Sequence, residues 1–231
     1  MLALTADHQV TPRWGGGWGV RLVAWLGIVV LLGVSMGALG AAFDEGIEYK
    51  VVPEPKRLEE GADVEVLELF WYGCPHCYRL EPAIEEWLET KPEGVVFRRL
   101  PAAASSRWIP HAKAFFAAEQ LGELDQLHEP LFKALHEERR RLFTDEQLIA
   151  FAAEQGIDED AFRDAYQSFP VDMQVRESAE LVRRYRLSGV PAIVVNGKYI
   201  TGVTEAGGRD QLFEVIGFLV AKEKDSGADS D

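Results

Sequence analysis

The sequence predicts an α/β fold with a helical domain inserted into one small sheet. Three observations carry the prediction. Two apolar, β-branched runs, Val64 to Phe70 and Val95 to Leu100, bracket a segment of helical periodicity and so form a strand–helix–strand unit. From Trp108 to about Leu187 the pattern is helical almost throughout. Ala192 to Val195 and Lys198 to Thr201 then flank Asn196-Gly197, the strongest short-range hairpin signal, before an amphipathic segment closes the chain.

Residues 1–42 stand apart. No charge occurs between Leu22 and Leu39, while Arg13 and Arg21 precede this run and Asp44, Glu45 and Glu48 follow it. This is the layout of an export leader, either a signal peptide cut after Gly40 or Ala42 or a retained N-terminal membrane anchor. Positive charge before the apolar run keeps that flank cytoplasmic and sends the rest across the membrane.

Residues 43–107 read as the first part of the sheet domain. Tyr49 to Val52 is its first strand, separated from Val64 to Phe70 by the breakers Pro53, Pro55 and Gly61. From Pro75 to Glu89 the apolar residues Cys77, Leu80, Ile84, Trp87 and Leu88 recur at helical spacing, with Pro82 inside as a kink. The turn Pro92-Glu93-Gly94 leads into the next strand.

The helical insertion covers residues 108–187. Trp108 to Leu121 and Glu123 to Glu137 flank Gly122; Thr144 with Gln147 forms a capping box for a helix that stops at Gly156; Asp158 caps the next. A longer helix from about Val171 to Leu187 returns to the sheet. Residues 188–223 supply the hairpin and a last helix, Arg209 to Ala221, with Leu212, Phe213, Ile216 and Leu219 to pack. The acidic, small-residue tail 224–231 reads as disordered.

Of 231 residues, 47% are hydrophobic and mean hydropathy is -0.10, an ordinary globular balance. With 24 basic against 38 acidic residues, the net charge of -14 argues against a nucleic-acid partner, whose phosphates need cations. No nucleotide-binding glycine motif is present, and no cofactor is expected.

Two cysteines, Cys74 and Cys77, enclose Pro75 and His76. A lone C-x-x-C can be half a zinc site, a structural bond or a redox centre. Zinc needs four ligands, and His111, His128 and His136 fall in helical stretches without ligand spacing, so they read as helix-surface residues and no metal is expected. A strand ending at Phe70, a turn through Trp71, Tyr72 and Gly73, and a helix opening at Pro75 place Cys74 at a helix N-terminus, where unpaired amides stabilise a thiolate. Pro75 is tolerated because the first helical N–H has no intrahelical acceptor. His76 is expected to add a donor beside the sulfur. Cys77, one turn on and further inside, is the natural resolving thiol, and a stabilised Cys74 thiolate makes the disulfide a strong oxidant.

Cys74-Pro75-His76-Cys77-Tyr78, with Gly189-Val190-Pro191-Ala192 and Val195-Asn196-Gly197-Lys198-Tyr199, resembles the DsbA-type thiol:disulfide oxidoreductases of the thioredoxin superfamily. The resemblance runs from about Phe43 to about Ala221 and implies a thioredoxin fold with an inserted helical domain, periplasmic location, and donation of the Cys74–Cys77 disulfide to reduced exported polypeptides. It implies that Pro191 is a cis-proline facing the disulfide and that Val190 offers its backbone to an extended substrate. Glu68 sits where this fold often buries an acid, which would then take up the Cys77 proton, whereas Glu65 reads as solvent-facing. Glu81 matches a family acid near the site. The resemblance also implies a DsbB-like membrane quinone reductase as reoxidant, and a monomer is expected. Competing readings are an extracytoplasmic reductase or isomerase, and a non-catalytic anchored chaperone with a bystander disulfide.

Overall fold

The computed structural model describes residues 43–56 and 63–228; the leader 1–42 and the end of the expected tail lie outside the described residues. Five strands form one sheet: β1 (Lys50–Val51), β2 (Val64–Phe70), β3 (Val95–Pro101), β4 (Ala192–Val195) and β5 (Tyr199–Thr201), in the order β1-β5-β4-β2-β3. The β2–β3 pair is parallel, joined by α1 (Pro75–Thr90), and the other pairings are antiparallel. This is the expected α/β fold. No helix among the described residues is long and apolar enough to cross a membrane.

All seven residues of β2 are buried, because helices cover both faces of this inner strand. Val64 and Val66 pack with Leu80 and Ile84 of α1 and with Leu212, Ile216 and Leu219 of α7 (Arg209–Ala228). Leu67 and Leu69 face the other layer, where Phe115 and Phe132 of the helical insert close over Phe70. Glu65 lies within this buried strand, fully enclosed, which corrects the solvent-facing reading. The alternation of Val and Glu in β2 resembles a half-exposed strand, but the second layer covers both sides.

The insert comprises α2 (Ile109–Leu121), α3 (Leu124–His136), α4 (Asp145–Glu154), α5 (Glu159–Tyr166) and α6 (Phe169–Arg184). The Thr144–Gln147 capping box and the Asp158 cap form as their sequence signals require. α6 opens at Phe169, earlier than expected, because Ser168 caps it by accepting the Val171 N–H, and Pro170 suits the first turn. Ser178 then ties α6 to the sheet by donating to the Pro101 carbonyl at 2.6 Å and accepting from the Ala103 N–H at 3.2 Å.

The final helix runs past Ala221 and Lys224 to Ala228, so the start of the expected disordered tail is helical. Two adjacent residues anchor it. Lys222 lies over the Tyr49 and Tyr199 rings, 5.2 Å from each centroid, and buried Glu223 pairs with Lys198 at 2.7 Å and accepts from the Asn196 amide. An acidic composition alone did not reveal that these side chains meet the hairpin.

Candidate active site

Cys74 is the N-cap of α1, with φ -92° and ψ 115°, and Pro75 opens the helix. The preceding turn closes through Cys74 N–H donating to the Trp71 carbonyl at 2.9 Å. Gly73 is required there by close approach: a Cβ would lie 2.3 Å from the Trp71 ring. That ring is stacked on Trp108, centroids 4.8 Å apart and 7° from parallel, so it has little freedom to retreat. Gly73→Ala is therefore expected to cost about 1–3 kcal/mol, the usual range for overpacking. Urea unfolding of the variant checks this, and an unchanged midpoint would show that the Trp pair yields freely.

The two thiols differ in environment. Cys74 is 7% exposed and Cys77 fully buried. Both are free thiols in this structure. The Cys74 thiol is lowered from 9.0 to about 6, first because the Cys77 S–H donates to its sulfur, then by the backbone N–H groups of Cys77 and His76 and the nearness of His76; burial opposes them. Cys77 is pushed strongly upward by burial, then by its hydrogen bond to Cys74 and the Glu68 carboxyl nearby. One helix turn thus yields one nucleophilic sulfur and one that holds its proton.

His76 is exposed, and its ring makes a different contact from the one expected. Arg79 Nη2 lies 2.9 Å from His76 Nδ1, and a guanidinium can only donate, so Nδ1 is the acceptor. The donor that His76 gives the sulfur is its backbone N–H.

Val190–Pro191 is a cis peptide bond. The Cys74 thiol donates to the Val190 carbonyl at 3.3 Å, which brings together two residues 116 apart in sequence. Beside them a groove of about 540 Å³ is lined by Val51, His76, Leu187, Val190, Pro191 and Thr204, among others. His76, Val190 and Pro191 therefore line one groove, and Cys74 lies against its wall at Val190.

Glu68 lies beneath that surface, fully buried on the β2 face that α1 covers. Burial raises its carboxyl well above the ordinary range, Glu81 adds repulsion, and Arg99 pulls the other way. Arg99, opposite Glu68 on β3, reaches Glu68 Oε2 from Nε at 3.6 Å and Glu81 Oε2 from Nη2 at 2.9 Å. Burial pushes Glu81 up too, but the His128 hydrogen bond and Arg99 outweigh it and hold Glu81 below the usual carboxylate range.

Sequence reasoning missed Arg99 and assigned three histidines to the helix surface. His111 is 1% exposed, bonded to the Leu142 carbonyl, and lowered to about 4 by burial. His128 meets the Tyr72 hydroxyl at 2.8 Å, and His136 meets the Tyr72 carbonyl at 2.7 Å while stacking on Tyr78. Tyr72 is fully buried, so it packs in the core rather than meeting a substrate, and α3 grips both its ends. The available sequence signal was the eight-residue spacing of His128 and His136, which puts both on one face of α3. Among the described residues, no group of three or more His, Cys, Asp or Glu side chains could hold a metal ion.

The family model "DSBA-like thioredoxin domain" matches residues 93–212, downstream of the cysteine pair. The protein named thiol:disulfide interchange protein DsbA in Azotobacter vinelandii is 38% identical over 203 residues, covering 84% of this chain and 95% of its own length. Its namesake in Pseudomonas aeruginosa is 37% identical, covering 88% and 95%. The crystal structure of Pseudomonas aeruginosa DsbA superposes with a TM-score of 0.76 at 36% identity, over 80% of this chain and 97% of that one. The Xylella fastidiosa oxidoreductase DsbA gives 0.74 at 26% identity, over 80% and 99%. The helix-capping cysteine, the cis-proline beside it, the inserted helical domain and these near full-length similarities agree: the chain belongs to the DsbA-like family of the thioredoxin fold and is a thiol:disulfide oxidoreductase.

Proposed function

We propose that the protein donates the Cys74–Cys77 disulfide to reduced exported polypeptides during oxidative folding in the periplasm. A substrate thiolate attacks the Cys74 sulfur, Cys77 leaves and takes a proton from Glu68, and the substrate's second thiol releases Cys74 as a thiolate. The observation that carries this reading is the asymmetry of the thiols: Cys74 is lowered to about 6 while burial drives Cys77 up. A sulfur stable as a thiolate is a good leaving group, and its stability favours the dithiol, making the disulfide an oxidant. Val190 and Pro191 hold an extended substrate segment in the groove beside Cys74, and His76 with Pro75 shapes the helix start.

The leader at residues 1–42 carries the chain across the membrane, as a cleaved signal or an anchor. The catalytic unit works as a monomer without a bound cofactor. Its sequence holds two cysteines and no nucleotide-binding glycine motif, and a DsbB-like membrane quinone reductase restores the disulfide at the same face.

Thiolate absorbance of the reduced protein against pH tests the reading. A transition near 6 for Cys74 is expected, with Cys77 holding its proton well above the ordinary thiol range, and Cys77→Ser keeps a titrating thiolate well below the ordinary value. A Cys74 transition near 9 would overturn it. In turnover, the oxidised protein should stop after about one disulfide per molecule without an external oxidant, and continue when quinone-containing membranes are added.

A further inference from the structure

The chain is acidic, with 38 Asp and Glu against 24 Lys and Arg, yet the cavities at the reactive face carry the opposite balance. The groove at Val190 and Pro191 has Lys50, His76 and Arg186 in its wall against one carboxylate, Glu205. His76 and Val203 also border a second cleft, of about 480 Å³, where α7 begins; it adds Arg79 and Arg209 against Asp210. The groove and the cleft meet at these two shared residues. A third cavity, lined from α1, α3 and β3, is acidic instead, with Glu81, Glu85, Asp125 and Glu129 against Arg99 and Lys133.

The fold itself makes little use of the cations at the reactive face. Lys50, Arg79 and Arg186 are exposed, and none of them forms an ion pair among the described residues. Arg79 meets only the His76 ring, at 2.9 Å. Arg209 engages Asp210 through Nε alone, at 3.3 Å, with its side chain 59% exposed. Arg186 stands at φ 50°, the left-handed position after α6 that glycine or asparagine fills most readily, so backbone geometry gives no reason for an arginine there.

We propose that Lys50, Arg186, Arg79 and Arg209 select client segments that carry carboxylates flanking the reacting cysteine. The inference rests on the proposed function, in which an extended segment lies against Val190 and Pro191 with its cysteine at Cys74. An extended chain advances about 3.3 Å per residue, so acidic side chains a few positions from that cysteine fall within the groove or the cleft. The surplus of acid elsewhere on the protein does not cancel the attraction. At ~0.1 M salt the screening length is about 10 Å, which hides distant carboxylates from a bound segment and leaves the cations beside it effective. Exposed ion pairs are each worth about twofold in affinity, so four of them together give about tenfold.

Single-turnover oxidation of dithiol peptides tests the proposal. Three peptides of otherwise identical sequence carry Glu, Gln or Lys beside each cysteine. A neighbouring carboxylate also alters the peptide's own thiols, so each rate is divided by the rate of the same peptide with hydroxyethyl disulfide, which is uncharged. At ~0.1 M salt the oxidised protein is expected to react about tenfold faster with the Glu peptide than with the Gln peptide on this scale, and more slowly with the Lys peptide. At ~1 M salt, where screening acts beyond about 3 Å, the preference should shrink to about twofold or less.

Arg79→Gln with Arg209→Gln, or Lys50→Gln with Arg186→Gly, should each lower the preference to about threefold, and the four changes together should remove it. The ratio is taken within each protein, so a loss common to all three peptides, including any that follows from the Arg79 contact with His76, cancels. Glycine suits the left-handed backbone at position 186, so that variant loses the charge without straining the fold. Arg79→Glu with Arg209→Glu should turn the preference toward the Lys peptide. Equal scaled rates for the Glu and Gln peptides, a preference that survives the four changes, or one that salt leaves intact would each overturn the proposal. Failure of the unaltered protein to oxidise any of the three peptides would overturn the parent reading instead.

Discussion

Cys74→Ser abolishes disulfide transfer, an expected loss of about a thousandfold or more, whereas Cys77→Ser still takes up one substrate thiol and then stalls. The difference follows from burial and proton affinity. Cys74 keeps some exposure and lies against the Val190 carbonyl, a residue of the groove wall, and it is the thiol lowered to about 6. Cys77 is fully enclosed and holds its proton strongly, so no substrate sulfur reaches it first, but it is positioned to attack a mixed disulfide at Cys74 from within. With Cys77 replaced, the internal attack is missing and the mixed disulfide persists. Non-reducing electrophoresis and mass spectrometry after mixing with reduced, unfolded polypeptide measure both outcomes. Equal trapping by the two variants would reverse or erase the assignment.

Glu68→Gln is expected to stabilise the reduced protein at pH 8 by about 2 kcal/mol while slowing its reaction with dithiols, because burying a carboxylate without a hydrogen-bond partner is costly. The sign follows from proton binding. Burial raises the Glu68 carboxyl in the folded state well above its ordinary 4.5, so the folded chain binds the extra proton and wild-type stability falls as pH rises above that value. Below 4.5 both states are protonated and the advantage of glutamine disappears. Urea unfolding of the two proteins at pH 4 and pH 8 reads the difference directly. A gap of equal size at both pH values would remove burial of the charge as its cause. On the proposed role of Glu68 the same variant also lacks the acid that exchanges the Cys77 proton, so added stability and lost rate should appear together.

Much of this architecture is legible in the chain. The Thr144–Gln147 box, the Asp158 cap and the Asn196-Gly197 turn are local, and local hydrogen bonding decides them whatever surrounds them. The strand–turn–helix run that places Cys74 at the start of α1 is local as well. What escaped depends on which layers meet. Glu65 and Glu68 look alike in a strand of alternating character, and only the helices on both faces of β2 bury the two. His128 and His136 look like surface positions until α3 is laid against the Tyr72 turn, 56 and 64 residues upstream. Arg99 carries no motif at all: its meaning comes from the parallel register that sets it opposite Glu68. The final helix is longer than its composition suggests because Lys222 and Glu223 find partners on Tyr49 and the hairpin.

The sheet order has a consequence for how the protein comes into being. β4 lies between β5 and β2, in the interior of the sheet, yet it is supplied by residues near position 193, after the whole helical insert. During N-to-C emergence the strand–helix–strand unit holding both cysteines can form early from near neighbours, whereas the strand following Val190 and Pro191 must close a loop spanning the entire insert. The groove wall opposite Cys74 is therefore the last part to be set. Until β4 slots in, Cys74 has no Val190 carbonyl beside it, and the groove lacks the wall that Val190 and Pro191 supply. A chain stopped before residue 192 thus carries both cysteines yet no complete site, so the chemistry of this topology switches on only with the closing of its longest loop.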